Sequence, residues 1–386
     1  MAGIYIHIPF CRSRCIYCGF YSTTNLELRQ RYVEAVCREM KTYPFPLPEG
    51  MGIDTIYLGG GTPSQLTIPQ LRQLFININK VYSLPSIQGG VGGEPEITIE
   101  VNPDDVTDEF AAALQQFGIN RVSMGAQTFD DERLRWLHRR HTSKQVGEAV
   151  RRLREAGIRN ISIDLMYGFS GETLSDWQHD IDAALALNVE HLSAYCLMIE
   201  EGTPLYQMMH NGDRHNGDCP QCVDEETERQ MYEMLIDKLE AAGYEHYEIS
   251  NFARPGYRSR HNSGYWNDTP YIGLGAAAHS YDGHTRSWNI ADIHQYIDGI
   301  ENGKRLFDSE VIEGNTRYND RLTVALRTRE GIDLSTLSDY HRDYAIKNAR
   351  RFINDGLLHI TPANHLALTR RGLFVSDMII SELMLV

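Results

Sequence analysis

The sequence lacks a long hydrophobic run, a secretion signal and an excess of positive charge. No apolar stretch approaches the length of a membrane-spanning helix. The start MAGIYIHIPF has neither the basic flank nor the cleavage site of a signal peptide, so the sequence predicts a cytoplasmic protein. A formal charge of -15 at pH 7 argues against a general affinity for nucleic acid or anionic membranes, since both require a positive surface.

Cysteine is also scarce, with 7 residues in a chain of 386, and a disulfide framework is not expected in the cytoplasm. Cys37 and Cys196 stand alone, and we expect them to be buried as small apolar side chains. Cys219 and Cys222 form a CPQC pair, which is half of a metal site, a redox pair or an incidental loop feature. The metal interpretation includes an ion that bridges a homodimer, because no second CxxC completes a zinc ribbon.

Short apolar runs alternate with amphipathic segments in the first half of the chain. The runs are rich in β-branched and aromatic residues and predict strands at 4–8, 54–59, 96–101, 120–125, 160–168 and 190–198. Strands interleaved with helices predict an α/β fold with a parallel sheet, open or curled into part of a barrel. Ligands of such folds gather at the carboxyl ends of the strands.

The pattern changes after about residue 205. A polar loop and a helix are predicted first, followed by an aromatic, glycine-rich stretch and then by a mainly helical end. The end resembles a small winged-helix unit with a hairpin around PANH. Because it has no basic recognition helix, we expect this unit to pack against the rest of the protein or to act as a lid, and not to bind DNA. The predicted units are 1–205, a core barrel; 206–289, a barrel extension; and 290–386, a winged-helix-like domain.

Cys11, Cys15 and Cys18 form a CxxxCxxC loop directly after the first predicted strand. A 4Fe-4S cluster held by three thiolates keeps one iron open for a small molecule, as an open position does in catalytic zinc sites. Tyr17, between the last two cysteines, is placed to shield the cluster edge. A zinc site or a chance grouping is the alternative, although zinc usually takes a fourth ligand from a distant pair.

This loop, followed by GGGTP after the second strand, resembles the radical S-adenosylmethionine (SAM) superfamily. In that family the open iron chelates SAM, and reductive cleavage can yield a 5'-deoxyadenosyl radical. The segments YIHIPFC, LGGGTPS, EVNP, GAQTF, DLMYG and HNSGYW are similar to its coproporphyrinogen III dehydrogenase-like branch over nearly the whole chain. The resemblance implies a partial (β/α)6 TIM-type barrel with a cluster on the three cysteines.

The same resemblance implies the residues of a SAM pocket. They are Tyr5, Tyr17, Gly60, Gly61, Thr62, Glu100, Gln127, Arg139 and Asp164. Arg139 suits the methionine carboxylate, while Glu100 and Asp164 suit the ammonium group or the ribose hydroxyls. The glycines allow close approach of the backbone to a ligand. Each acidic residue alone would equally suit a helix cap or an ion pair with an arginine.

Phe20 separates two branches of the resemblance. The bacterial anaerobic dehydrogenase typically carries CxxxCxxCxC, and Phe20 stands where the last of those cysteines would be. This favours the heme chaperone subgroup, which binds heme and delivers it to apo-hemoproteins such as respiratory enzymes. HNSGYW, residues 261–266, matches the HNxxYW signature of that subgroup. The alternative is an oxygen-independent coproporphyrinogen III oxidase, and radical turnover in either case implies a reductant such as flavodoxin or ferredoxin.

The stretch around HNSGYW also suits a tetrapyrrole by its composition, because it sets arginines and aromatic side chains beside His261. The candidates for heme contact are His261, Tyr265, Trp266, Arg258 and Arg260, with Arg254 and Tyr257 nearby. Arginines fork onto propionates, aromatic rings pack on the macrocycle, and an imidazole ligates the iron. A solvated basic loop pinned by its aromatic residues is the alternative. Other possible axial ligands are His7, His191, His246 and His279.

Overall fold

A computed structural model describes residues 2–43, 51–82, 94–211 and 223–385. Its main sheet confirms the predicted α/β class, because strands β1 to β6 run parallel in chain order. The strands are β1 (Ala2–Ile8), β2 (Ile53–Gly60), β3 (Glu96–Val101), β4 (Arg121–Gln127), β5 (Asn160–Tyr167), β6 (His191–Cys196), β7 (Glu245–Glu248), β8 (Asn251–Ala253), β9 (Tyr271–Leu274), β10 (His279–Tyr281), β11 (Thr285–Asn289) and β12 (Phe307–Val311). Their order across the sheet is β12-β11-β10-β9-β1-β2-β3-β4-β5-β6-β8-β7.

Helices connect the parallel strands, and most begin at a polar cap, such as Thr107, Thr142 or Thr173. The helices are α1 (Arg29–Thr42), α2 (Ile68–Tyr82), α3 (Asp108–Gln116), α4 (Asp131–Trp136), α5 (Ser143–Glu155), α6 (Leu174–Ala186), α7 (Pro204–Asn211), α8 (Glu225–Ala241), α9 (Arg260–Trp266), α10 (Ile293–Glu301), α11 (Gly314–Leu326), α12 (Asp339–Asn354), α13 (Arg370–Leu373) and α14 (Ser376–Leu383). In the described parts of the chain, every helix is too short or too polar to span a membrane.

Side chains alternate along the strands between an aliphatic outer face and a polar inner face. In β1, Ile4, Ile6 and Ile8 are fully buried in the main apolar core, while Tyr5 and His7 alternate with them on the opposite face. That opposite face lines the barrel interior and also carries Arg121 and Asp164 among its buried charges. A TIM-type barrel normally fills its centre with aliphatic side chains, so a polar interior indicates a binding chamber.

Beyond β1 the sheet continues through a segment that we call the sheet extension, β9 to β12. Strand β9 pairs with β1 in parallel, and β10, β11 and β12 follow as antiparallel strands. The buried carboxylate of Glu39 on α1 ties this extension to the start of the chain. It accepts hydrogen bonds from the backbone N–H of Gly275, the Asn289 amide and the Tyr296 hydroxyl, and it lies 3.3 Å from Arg305.

A second apolar core lies near the end of the chain, around residues such as Leu322, Phe352 and Ile379. It is built from α11, α12 and α14 with a three-stranded sheet of β13 (Ile332–Asp333), β14 (Leu358–Ile360) and β15 (His365–Leu368). The hairpin of β14 and β15 turns at PANH, as the sequence predicts for a winged-helix unit. The main sheet reaches Val311, beyond the predicted division at 290, and that division stays a prediction.

Candidate functional site

The three-cysteine loop follows β1 at the carboxyl mouth of the barrel, and backbone hydrogen bonds hold it. Cys11 donates its N–H to the Thr23 carbonyl at 2.9 Å, and Leu205 donates to the Ile16 carbonyl at 2.9 Å. The second bond ties the middle of the loop to the segment after β6. Cys11, Cys15 and Cys18 are each partly exposed at this mouth.

The three thiols suit a cluster better than a single ion. Among the described residues, no three His, Cys, Asp or Glu side chains are arranged to share one metal ion. A cubane cluster binds each thiolate through a different iron, so its ligands do not have to meet at one point. Burial raises the pKa of the Cys18 thiol to about 11, so metal binding at this loop must displace protons.

Arg139 connects the cysteine loop to the ends of β3 and β4. Its guanidinium donates to the Cys15 sulfur at 3.6 Å, to the Asn102 side-chain oxygen at 2.8 Å and to the Gly125 carbonyl at 2.6 Å. Its buried Nε has no hydrogen-bond partner among the residues described. This free donor fits the predicted role toward a carboxylate, because a buried guanidinium N–H is normally paired.

Tyr17 lies beside Arg139 at this mouth, as the cysteine spacing suggests. Burial raises the pKa of its phenol, while the positive charge of Arg139 opposes the shift. The ring packs against a small apolar cluster that includes Ile16 and Leu197. Tyr17 therefore forms a neutral aromatic wall between the cysteines and the interior of the protein.

Glu100 reaches into the barrel interior from the end of β3. The Tyr57 hydroxyl donates to one of its oxygens at 2.8 Å, and the Gly60 N–H donates to the other at 3.1 Å. Burial raises the pKa of this carboxyl to about 7, although the Tyr57 bond opposes the shift. Tyr57 is a contact that the sequence pattern did not single out, since an aromatic residue in a strand ordinarily belongs to the core.

The glycines after β2 are required by packing against the protein itself. A β-carbon on Gly60 would lie 2.4 Å from the His7 ring, and one on Gly61 would lie 2.7 Å from the Pro9 carbonyl carbon. Gly60 also has a φ of 108°, which L side chains rarely adopt. The structure shows that these glycines pack tightly against β1 and the residue that follows it. Their close approach to a ligand stays a prediction.

Asp164 and Arg121 form the charged centre of the interior. The Ser123 hydroxyl lies 3.2 Å from one Asp164 oxygen and 3.3 Å from the other. Burial raises the pKa of Asp164, and Arg121 is the largest opposing influence. Arg121 is only 1% exposed, and its Nε and one terminal nitrogen make no hydrogen bond with the described residues. Sequence reasoning missed it because a basic residue at a strand start resembles a surface residue.

The remaining predicted SAM residues lie on the same side of the sheet. The Thr62 hydroxyl is 3.4 Å from the Cys11 sulfur, and Gln127 ends β4 with a left-handed φ of 69°. The Tyr5 hydroxyl hydrogen-bonds with His7 Nδ1 at 3.1 Å. The predicted SAM residues therefore fall on the ends or inner faces of strands β1 to β5 and on the loops that follow them.

HNSGYW forms most of α9, which contacts the amino-terminal halves of β1 and β2, at the end of the barrel opposite the cysteines. His261 is 4% exposed, and its two ring nitrogens hydrogen-bond with the hydroxyls of Thr55 (2.8 Å) and Tyr265 (3.0 Å). Burial lowers the pKa of His261 to about 3, so the ring is neutral. The two oxygens of Glu96 accept the first N–H groups of the helix, from Arg260 and His261.

A cavity of about 350 Å³ opens beside α9, and Arg258, Arg260, His261 and Tyr265 line it. Both arginines are already in ion pairs, Arg258 with Glu245 and Glu330 and Arg260 with Asp54. Trp266 does not line this cavity and packs under the guanidinium of Arg327 at 5.8 Å. Cys219 and Cys222 lie outside the described residues.

Three comparisons place these features among known proteins. The family model described as "Radical SAM superfamily" matches residues 5–184. "Heme chaperone HemW" from Bacillus subtilis is 38% identical over 335 residues, which cover 86% of this chain and 85% of that protein. Proteins of the same name from Mycobacterium tuberculosis and Escherichia coli are 31% and 34% identical, and the matches span 94% and 69% of their lengths.

Among solved structures, the coproporphyrinogen III oxidase HemN from Escherichia coli, described as a radical SAM enzyme, superposes with a TM-score of 0.83. The match covers 99% of this chain and 90% of that one at 21% sequence identity. This likeness establishes the fold, including the sheet extension and the second core, and does not extend to the reaction.

Proposed function

The chain belongs to the radical SAM superfamily and, within it, to the HemW-like family, and on this premise we propose that it is a heme chaperone. It binds a 4Fe-4S cluster, SAM and heme, and it delivers heme to apo-hemoproteins such as respiratory enzymes. The observation that carries the proposal is the similarity to a protein named a heme chaperone over 85% of that protein's length.

In this proposal Cys11, Cys15 and Cys18 hold the cluster, and Arg139 binds the carboxylate of SAM. The cluster, once reduced by a flavodoxin or a ferredoxin, supplies the electron for SAM cleavage. Glu100 and Asp164 bind the ammonium group or the ribose hydroxyls from the interior. Their burial supports this role, because burial raises the pKa values of both carboxyls and a cationic or hydrogen-bonding ligand group would favour their ionised forms.

Heme binding is supported by the aromatic and basic character of two regions. One is the cavity beside α9 with His261, Tyr265, Arg258 and Arg260, with Trp266 close by on the same helix. The other is the face of the sheet extension that carries His279, Trp288 and Arg286. We propose further that the protein acts in the cytoplasm without nucleic acid, and that a homodimer is a form worth testing by sedimentation.

The alternative function is an oxygen-independent coproporphyrinogen III oxidase, which is considered because the fold is similar to that of HemN. Phe20 stands at the position of that branch's additional cysteine and is 74% exposed beside the cluster loop. Because that cysteine is absent from this chain, we propose that decarboxylation is absent.

One anaerobic experiment separates the two functions. The cluster-reconstituted protein is incubated with SAM and dithionite, in parallel with coproporphyrinogen III and with hemin, and products and the Soret band are followed. A heme chaperone binds hemin stoichiometrically, releases it to apomyoglobin and leaves coproporphyrinogen III intact. Formation of protoporphyrinogen IX would instead identify the oxidase and refute the proposal, and Cys15→Ala serves as the cluster-free control.

A further inference from the structure

Five histidines were candidates for the axial ligand of heme iron, and three of them use both ring nitrogens within the protein. His7 donates to the Tyr21 carbonyl at 3.0 Å and bonds the Tyr5 hydroxyl. His191 hydrogen-bonds with the hydroxyls of Ser162 and Tyr247 at 2.8 and 2.7 Å. His261 bonds Thr55 and Tyr265 as described above. An imidazole must free one nitrogen to ligate iron, so each of these rings would first have to lose a buried hydrogen bond.

The other two histidines differ in their surroundings. His246 is stacked on Phe252 with 4.3 Å between ring centroids, and its Nε2 lies 3.2 Å from the Ile249 carbonyl. His279, on β10, is exposed, and its ring has no hydrogen bond to the residues that the structure describes. Of the five candidates, His279 is therefore the one whose ring is exposed and makes no hydrogen bond with the described residues.

The backbone around His279 is fixed. His279 pairs in register with Trp288 of β11, and the Ser280 hydroxyl accepts the N–H of Gly273 at 2.8 Å. A β-carbon on Gly273 would overlap the His279 carbonyl, so this close crossing of β9 and β10 requires glycine. A ligand on such a strand is held more accurately than one on a loop.

The sheet register places His279 on the same face as the barrel interior. Gly3 pairs with Tyr271 and Tyr271 pairs with Tyr281, so these residues share the face that carries Tyr5. His279 is two residues from Tyr281 and projects from the same face. It lies opposite Gly273, which pairs with Tyr5 in the middle of β1.

Two neighbours on this face suit a heme. The Trp288 ring lies 5.7 Å from the His279 ring at an interplanar angle of 24°. Arg286, two residues before Trp288 on β11, is partly exposed and bonds Glu310 at 3.3 Å and Asp320 at 2.5 Å. The edge of the indole can contact a macrocycle whose iron is ligated by the neighbouring imidazole. As for the arginines beside α9, a propionate would have to displace the present carboxylate partners of Arg286.

We infer that His279 provides the axial nitrogen for heme iron on the inner wall of the sheet extension, with the edge of the Trp288 ring beside the macrocycle and Arg286 exchanging a carboxylate partner for a propionate. This inference rests on the proposed heme-chaperone function and names the residue that holds its cargo. Partial burial and the nearby charge of Arg286 lower the pKa of His279. The ring is therefore neutral at physiological pH, which is the form that ligates iron.

Titration of the full-length, cluster-reconstituted protein with hemin tests the inference. His279→Ala is expected to weaken hemin binding at least tenfold and to remove the low-spin, histidine-ligated signature from the Soret and electron paramagnetic resonance spectra. His279→Gly with added imidazole is expected to recover that signature. His284→Ala removes an exposed histidine from the turn between β10 and β11 and serves as the matched control.

The outcomes distinguish the inference from the function it rests on. If His279→Ala binds hemin as tightly as the parent with an unchanged spectrum, the ligand assignment is refuted while heme binding stands. Loss of hemin binding in His261→Ala, with the melting temperature preserved, would identify His261 on α9 as the iron ligand and would also refute the assignment to His279. A parent protein that binds no hemin would refute the function and the inference together.

Discussion

Replacing Arg121 with methionine is expected to weaken SAM binding near pH 7 and to affect it little near pH 9. Arg121 is a buried positive charge that lowers the pKa values of both Glu100 and Asp164 against the effect of burial. The pKa of Glu100 is about 7 in the folded protein, so about half of it is ionised at neutral pH. Removal of a nearby opposite charge raises a carboxyl pKa, by about 1 unit where the charge is close, and Arg121 is the smallest of several influences on Glu100.

The expected magnitude follows from that shift. An upward shift of about 1 unit would reduce the ionised fraction of Glu100 at about pH 7 from roughly one half to roughly one tenth, so the loss of SAM affinity is expected to be at most about fivefold. Near pH 9 both proteins are almost fully ionised, and their affinities converge. Other titratable groups also face this carboxyl, namely Tyr5, Tyr57, Asp164 and Tyr265.

Equilibrium dialysis of SAM against the cluster-loaded proteins at several pH values is the assay, with the parent measured at each pH as the reference. Arg121→Lys keeps the charge and is expected to retain most of the affinity. An equal loss at both ends of the pH range would show that Arg121 acts by packing rather than by charge. An unchanged affinity at neutral pH would refute the electrostatic role altogether.

The remaining predictions concern the cluster, a packed glycine and a buried carboxylate. Cys15→Ala should lose iron and the cluster absorbance, whereas Cys37→Ala, which changes a buried isolated cysteine, should keep both. Gly60→Ala should lower the free energy of unfolding in urea by about 2 kcal/mol or more, because of its positive φ and the contact with His7. Gly52→Ala, with open space around it, should be nearly neutral, and a large effect there would contradict the packing argument. Glu39→Gln should cost about 1 to 3 kcal/mol, because it removes the Arg305 ion pair and turns one hydrogen-bond acceptor of the network into a donor, and an unchanged urea midpoint would show that the network contributes nothing.

The parallel strands could be predicted because their apolar runs are short and bounded by glycine, proline or asparagine. The predicted strand at 96–101 coincides with β3, and the one at 160–168 differs from β5 by one residue. Since parallel strands end at one side of a sheet, the grouping of Glu100, Gln127 and Asp164 on one side followed from chain order alone.

The position of HNSGYW could not be predicted in the same way. The segment follows the antiparallel strands β7 and β8, and local periodicity does not tell to which end of the barrel such a segment returns. Its arginines looked available for propionates, but acidic residues distant in sequence pair with them, among them Asp54 and Glu330. The importance of Arg121 also depends on Glu100 and Asp164, which neighbouring strands bring near it, and no short motif contains all three.

The network around Glu39 has a consequence for how the protein is made. Its partners lie 236 to 266 residues later in the chain, so they leave the ribosome long after α1 has been synthesised. At about 5 to 20 residues per second, that interval lasts on the order of 10 to 50 seconds. During this time the cysteine loop, just before α1, sits on a sheet that still lacks β9 beside β1. Iron loading of the mature loop is therefore expected after translation, so a nascent chain of 250 residues should acquire less cluster than the released protein.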